Sequence, residues 1–234
     1  MDPQSAAKTG PASSSPLETM MHRRKFLLFT GTAAASAALI GVSCKKDDDN
    51  NNMATAVNLG SGDVGILNYA YALEQLEAAF YIKVMQTPFS GITATESEYL
   101  ADIRDHEIAH RDFFKTALGS NAIQALEVNF DAINFASRDS VLGTAKAFED
   151  LGVSAYNGAG RLLQSADYLT LAGKIVSVEA RHAALIRDLI ANGSFADNTV
   201  VDANGLDVAR TPAQVLAIAK DFLRTPLNGN NLPS

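Results

Sequence analysis

Two short segments of the sequence place a histidine three residues after a glutamate. They are 107–110 (EIAH) and 179–182 (EARH). Residues three apart lie on the same face of a helix, so in each segment a carboxylate and an imidazole can approach one metal ion. Carboxylate oxygens combined with a single imidazole suit iron or manganese better than an ion that prefers thiolates. The spacing therefore predicts metal ligands on two helices: Glu107, His110, Glu179 and His182.

The two ExxH segments belong to a longer internal repeat. Glu74 and Tyr81 precede the first segment, Glu149 and Tyr156 precede the second, and the letters ALEQL and AFEDL align around the two glutamates. The chain thus repeats the order Glu, Tyr, ExxH. Glu74 and Glu149 join the predicted ligands. The tyrosines are expected to hydrogen-bond ligand carboxylates, with an ordinary core position as the alternative.

Glu77 is the alternative to Glu74, because it lies about one turn further along the same predicted helix. The repeat places Gly152 opposite Glu77, whereas Glu74 is matched by Glu149. This difference favours Glu74 as the ligand.

The elements that must position these residues are helices, because apolar residues recur at helical spacing from residue 63 onward. We expect four long helices and a short fifth one, at about 64–86, 95–119, 140–164, 166–191 and 213–224. Two hairpins joined by a long connection over 120–138 make an all-α four-helix bundle with one crossover between helices two and three. Antiparallel pairing then brings Glu74 level with Glu107, and Glu149 level with Glu179 within about one turn.

The expected helix starts rest on capping residues. Ser61 or Asp63 is expected to cap the first helix, a capping box over 95–98 (TESE) begins the second, and Asp139 or Ser140 caps the third.

Composition argues against nucleic acid as a partner. The chain of 234 residues carries 26 acidic and 19 basic side chains, a net charge of −7, and its basic residues are scattered. No cationic face of the kind that binds phosphates is therefore expected. Cys44 is the single cysteine, so an internal disulfide is excluded.

The first 43 residues resemble an export signal. Arg23 and Arg24 precede the uncharged apolar run 26–42, which resembles a Tat signal peptide. Cys44 follows a segment that resembles a bacterial lipobox, with Gly41 in place of the usual leucine. We expect 1–43 to be leader and signal peptide, and Cys44 to be lipidated. A retained membrane helix over the apolar run is the alternative.

These features predict an exported lipoprotein of the cell envelope, periplasmic or at the cell surface, that contacts the membrane through its lipid anchor. Residues 44–62 are expected to form a flexible tether rich in Asp, Asn, Ser and Gly, and 226–234 a tail. The bundle is expected to span 63–225. Assembly into a homo-oligomer is left open.

The chain resembles the ferritin-like superfamily, and within it bacterial ferritin-like proteins related to plant desiccation proteins. The resemblance rests on the letters LNYA at 67–70, LEQLE at 73–77, FEDLG at 148–152 and the two ExxH segments. It implies a centre of two iron ions, or manganese, in which Glu107 and Glu179 bridge the ions. The implied ligands are Glu74, Glu107, His110, Glu149, Glu179 and His182.

Several functions fit such a centre. A di-iron oxidoreductase would react with O2 or peroxide, as an oxidase or in peroxide and iron detoxification and stress protection. A non-catalytic scaffold or binding module at the cell surface is the alternative.

A zinc metalloprotease is a further alternative, because residues 106–110 (HEIAH) match HExxH. In that motif both histidines would bind zinc, with Glu127 as a distant third ligand. The second repeat has Val178 where His106 stands, so the protease hypothesis leaves the other half of the repeat unexplained.

Overall fold

The computed structural model describes residues 56–234, which contain four long helices, a short fifth helix and two very short strands. The helices are α1 (Gly62–Gln86), α2 (Ala94–Leu118), α3 (Arg138–Gly160), α4 (Ala166–Ile190) and α5 (Pro212–Ala219). The strands are β1 (Val57–Asn58) and β2 (Leu227–Asn228), and single 3-10 turns follow α2 at Gly119–Asn121 and α5 at Lys220–Phe222.

The four long helices form two hairpins. Helix α1 packs against α2, α3 packs against α4, and α1 and α3 join the hairpins. This arrangement confirms the predicted four-helix bundle with a long crossover and a short C-terminal helix.

Helix α2 starts one residue before the predicted boundary because a different capping box is used. The backbone N–H of Glu96 donates to Thr93 Oγ1 at 3.1 Å, and the backbone N–H of Thr93 donates to Glu96 Oε2 at 2.9 Å. Thr93 has the extended backbone of an N-cap. The expected box at Thr95 and Glu98 is therefore wrong by two residues.

Helix α3 begins at Arg138 and not after Asp139 or Ser140. The hydroxyl of Ser137 accepts a hydrogen bond from the backbone of Ser140 at 3.4 Å, which makes Ser137 the N-cap. The helix ends at Gly160, four residues earlier than predicted, and 161–164 form the turn into α4.

Asp63 binds the turn between α3 and α4 and does not cap its own helix. Its two carboxylate oxygens accept hydrogen bonds from the backbone N–H groups of Gln164 and Ser165, at 2.8 and 2.9 Å. Ser61 occupies the N-cap position of α1 without a side-chain capping bond. The start of α1 is thereby joined to the α3–α4 turn.

The crossover between α2 and α3 is held along α1 by two amide side chains. Asn68 donates to the carbonyl of Asn121 at 2.9 Å and accepts from the N–H of Ile123 at 2.9 Å. Two turns further on, Gln75 Oε1 accepts from the N–H of Leu126 at 2.9 Å. These bonds satisfy backbone groups that the irregular segment would otherwise leave unpaired.

The described ends of the folded unit extend beyond the predicted bundle limits of 63 and 225. The N–H of Val57 donates to Pro226 O at 2.8 Å, and the N–H of Leu59 donates to Asn228 O at 3.0 Å. Leu59 is fully buried. The end of the predicted tether and the start of the predicted tail therefore pair with each other.

Helix α5 is shorter than predicted because the chain then turns towards the crossover. After the 3-10 turn, the backbone N–H of Arg224 donates to the carbonyl of Glu127 at 2.8 Å. Phe222 packs edge-on against Phe148 of α3, with ring centroids 4.7 Å apart. The C-terminal segment thus covers the bundle near the crossover.

Within residues 56–234, no helix is both long enough and apolar enough to cross a bilayer. The predicted signal peptide, the apolar run 26–42 and Cys44 lie outside the described residues.

Candidate metal centre

The structure brings all six predicted ligands into one layer inside the bundle. Helix α1 supplies one glutamate, α3 supplies one glutamate, and α2 and α4 each supply an ExxH pair. The four glutamates are fully buried, His182 is nearly so, and the His110 side chain is 14% exposed; the set comprises Glu74, Glu107, His110, Glu149, Glu179 and His182.

The six residues form two overlapping groups that could each hold a metal ion. One group contains Glu74 and His110, the other contains Glu149 and His182, and both share Glu107 and Glu179. Within each group one ligand atom per residue lies within 4.8 Å of all the others. We name these groups site A (Glu74, Glu107, His110, Glu179) and site B (Glu107, Glu149, Glu179, His182). The two shared glutamates are the residues that could bridge a pair of ions.

The two unshared glutamates are each held by a tyrosine from the opposite hairpin. The hydroxyl of Tyr81 donates to Glu149 Oε1 at 2.6 Å, and the hydroxyl of Tyr156 donates to Glu74 Oε1. Each of these carboxylates therefore keeps one oxygen, Oε2, free for a metal ion.

Every other ligand atom of the layer is buried without a hydrogen bond. These atoms are Glu74 Oε2, Glu149 Oε2, both carboxylate oxygens of Glu107 and Glu179, and Nδ1 of His110 and His182. A buried polar atom without a partner costs about 1–3 kcal/mol, so such atoms are rare in folded proteins. Eight of them in one layer match the donor set of two cations held by terminal and bridging carboxylates.

Short separations between the histidines and the shared glutamates show how closely these atoms converge. His110 Nδ1 lies 2.7 Å from Glu179 Oε1, and His182 Nδ1 lies 2.8 Å from Glu107 Oε1. Neither contact is a hydrogen bond, and both nitrogens and both oxygens have no other hydrogen-bond partner. Each histidine thus approaches the shared glutamate of the other hairpin.

His182 is oriented by His106 across the two hairpins. His106 Nδ1 lies 2.9 Å from His182 Nε2, and the two rings stack with 10° between their planes. If Nε2–H of His182 donates in this contact, Nδ1 is the ring nitrogen that could bind a metal ion. This assignment matches the direction in which Nδ1 points.

The HExxH alternative finds no support in this geometry. His106 and Glu127 are exposed and belong to neither site, whereas His110 lies in site A. The two histidines of the motif therefore do not converge on one ion position.

The pKa values of the buried ligands are shifted in directions that bound cations would oppose. Burial raises the pKa of Glu149 to about 8 and that of Glu74 well above its usual value. For the histidines, burial lowers the pKa, but the surrounding carboxylates outweigh it and raise the pKa of both His110 and His182 to about 12. These raised pKa values favour protonation of the layer, and binding of cations to the same atoms would displace protons.

Glu107 departs from its neighbours in the opposite direction. Burial opposes its ionisation, but the nearby imidazoles of His110 and His182 outweigh burial and lower its pKa to about 2. This shared carboxylate is the one most readily kept as an anion.

Glu77 belongs to neither site but lies in the same buried region. Burial, and then the neighbouring carboxylates with that of Glu107 first, raise its pKa well above the usual value. A Cβ atom added to Gly152 would lie 2.9 Å from Glu77 Oε1. The glycine therefore makes room for this carboxylate against α3.

A model of the ferritin-like domain family matches residues 62–192, which is more than half of the chain. The chain belongs to the ferritin-like family, and the resemblance to this superfamily seen in the sequence is confirmed. No curated protein matches the chain.

Proposed function

We propose that the bundle binds a pair of iron or manganese ions at sites A and B, in an exported protein held at the membrane by a lipid. The observation that carries the metal proposal is the set of eight buried ligand atoms without hydrogen bonds. Four ionised carboxylates would balance the charge of two divalent cations. Oxygen-rich sites with one imidazole each favour iron or manganese over zinc held by thiolates.

Other residues of the chain hold the ligand side chains in position. Tyr81 and Tyr156 fix the two terminal carboxylates, and His106 orients one imidazole. The buried layer excludes bulk water from the ligands. A pair of ferrous ions, when bound, supplies the two electrons that convert one hydrogen peroxide and two protons into two waters. Reaction with O2 or peroxide, in detoxification or stress protection, is the enzymatic role that we propose.

Metal content tests this proposal directly. The purified protein, loaded with Fe(II) without oxygen and then desalted, is expected to hold about two irons per chain. Stoichiometry near zero, for both Fe(II) and Mn(II), would overturn the metal proposal and leave the bundle as a non-catalytic scaffold or binding module. Consumption of peroxide by the Fe(II)-loaded protein tests the enzymatic role separately.

The cellular location is proposed from the N-terminal sequence alone. The twin arginine and the lipobox-like segment before Cys44 support export and lipidation. We expect the full chain to fractionate with membranes and Cys44→Ala to lose this association. If Cys44→Ala stayed on the membrane as firmly as the unchanged protein, a retained helix over 26–42 would replace the lipid anchor.

A further inference from the structure

The two halves of the repeat are not equivalent around the metal layer. Four of the repeated features are matched between the halves: glutamate, tyrosine, and the glutamate and histidine of ExxH. Two are unmatched. Glu77 in the first half corresponds to Gly152 in the second, and His106 corresponds to Val178.

One of these two residues, His106, acts on site B alone. His106 contacts His182, which belongs to site B and not to site A. The carboxylate of Glu77 lies over Gly152, but the carboxylates with the largest effect on its pKa are those of Glu107 and Glu179, which belong to both sites. Site A receives no matching support, since the residue in the position of His106 is Val178, whose side chain cannot accept a hydrogen bond.

The contact between His106 and His182 strengthens the attraction of site B for a cation. A hydrogen bond accepted from the outer nitrogen of a metal-binding histidine fixes its tautomer and makes the inner nitrogen a better donor. Removing an outer partner of a metal ligand typically weakens metal binding about 10- to 100-fold.

We propose that the two ion positions differ in affinity and that site B binds the first ion, because His106 supports that position alone. This inference rests on the proposed two-ion centre. It predicts stepwise loading, in which one equivalent of metal occupies site B before site A begins to fill.

A titration with Mn(II) tests the order of binding, because Mn(II) resists oxidation in air at neutral pH and its free ion gives a strong electron paramagnetic resonance signal. The full protein is expected to bind two Mn(II) ions in two steps, the first at least about 10-fold tighter than the second. His106→Val, which copies the second repeat, should weaken the first step about 10-fold. The second step should change by less than about threefold.

A matched control and a direct location complete the experiment. Glu98→Gln removes an exposed carboxylate from the helix that carries His106, and it should leave both steps unchanged. Anomalous scattering from crystals loaded with one equivalent of Mn(II) should place the ion beside Glu149 and His182.

The possible failures are distinct. Two ions bound with equal affinity, a first ion beside His110, or equal weakening of both steps by His106→Val would overturn the unequal sites and leave the two-ion centre standing. Fewer than two ions bound by the unchanged protein would overturn the two-ion centre, and this inference with it.

Discussion

Two sets of buried polar side chains face the interior of the same bundle, and they differ in whether the protein itself satisfies them. Asn68 and Gln75 bind backbone groups of the crossover through both ends of their amides. The ligand atoms of sites A and B, although equally buried, have no hydrogen-bond partners. The buried amides therefore have a structural role, whereas the buried ligand atoms form a site that could hold metal ions.

The largest expected effect is the loss of the metal pair when either half of the repeat is broken. Glu179→Ala and His182→Ala should reduce bound metal as severely as Glu107→Ala and His110→Ala, because the shared glutamates join both sites. His106→Ala should keep most of the metal at saturating concentration. Metal analysis of each purified variant gives the measurement.

The opposite pattern of metal loss would contradict a metal centre shared by the two halves of the repeat. Complete loss of metal in His106→Ala, together with retention in His182→Ala, would favour a single HExxH zinc site over the shared centre.

The second prediction concerns pH. The pKa of Glu149 is raised to about 8 in the folded metal-free protein, so the folded state binds a proton that the unfolded chain releases above about 4.5. The stabilisation from that proton is complete below about pH 4.5 and is lost as pH rises towards 8. The free energy of unfolding of the metal-free protein should therefore fall by an amount on the order of 1 kcal/mol per pH unit in this window.

Urea unfolding at pH 5 to 8 measures this slope, with Glu149→Gln as the comparison. The variant should show a smaller slope, because glutamine does not titrate. Bound metal should reverse the trend, since ionised ligands bind cations more tightly as pH rises. A metal-free protein whose stability rises over this window would contradict the assignment of the proton to Glu149.

The smallest effect is expected from the satisfied set. Asn68→Ala leaves the N–H of Ile123 and the carbonyl of Asn121 without their side-chain partner, and should lower the free energy of unfolding by roughly 2–3 kcal/mol. Because Asn68 contacts the crossover and not the ligands, the number of bound ions should stay the same.

Chemical denaturation and metal analysis of the same preparation measure both quantities. Gln86→Ala, at an exposed helix end, is the control and should change stability by less than about 0.5 kcal/mol. Loss of metal in a folded Asn68→Ala protein would show that the two buried sets are coupled.

The parts of the fold predicted correctly depend on local periodicity. Helical spacing predicts that Glu74 and Glu149 each lie on the face of the helix that points into the bundle. The two side chains of an ExxH pair align within a single helical turn. The helix starts were less predictable, because residues 93–96 and 95–98 both match a capping box. The observed choice includes Arg138 Nε donating to Glu96 Oε1 at 2.7 Å, a contact between distant parts of the chain.

The sequence pattern did not predict the contacts between the two hairpins. The stacking of His106 on His182, and the carboxylate of Glu77 over Gly152, depend on how the helices face each other across the bundle. The repeat contained a usable signal for both, since Glu77 and His106 are each replaced by a non-ionisable residue in the second half.

The crossed tyrosine contacts bear on the origin of the chain. Because Tyr81 binds Glu149 and Tyr156 binds Glu74, neither hairpin alone contains a complete ligand with its partner. Two copies of one ancestral hairpin, docked about a two-fold axis as a homodimer, would make the same reciprocal contacts. Gene duplication and fusion would then join the copies through the crossover, and a single chain could change one copy without changing the other.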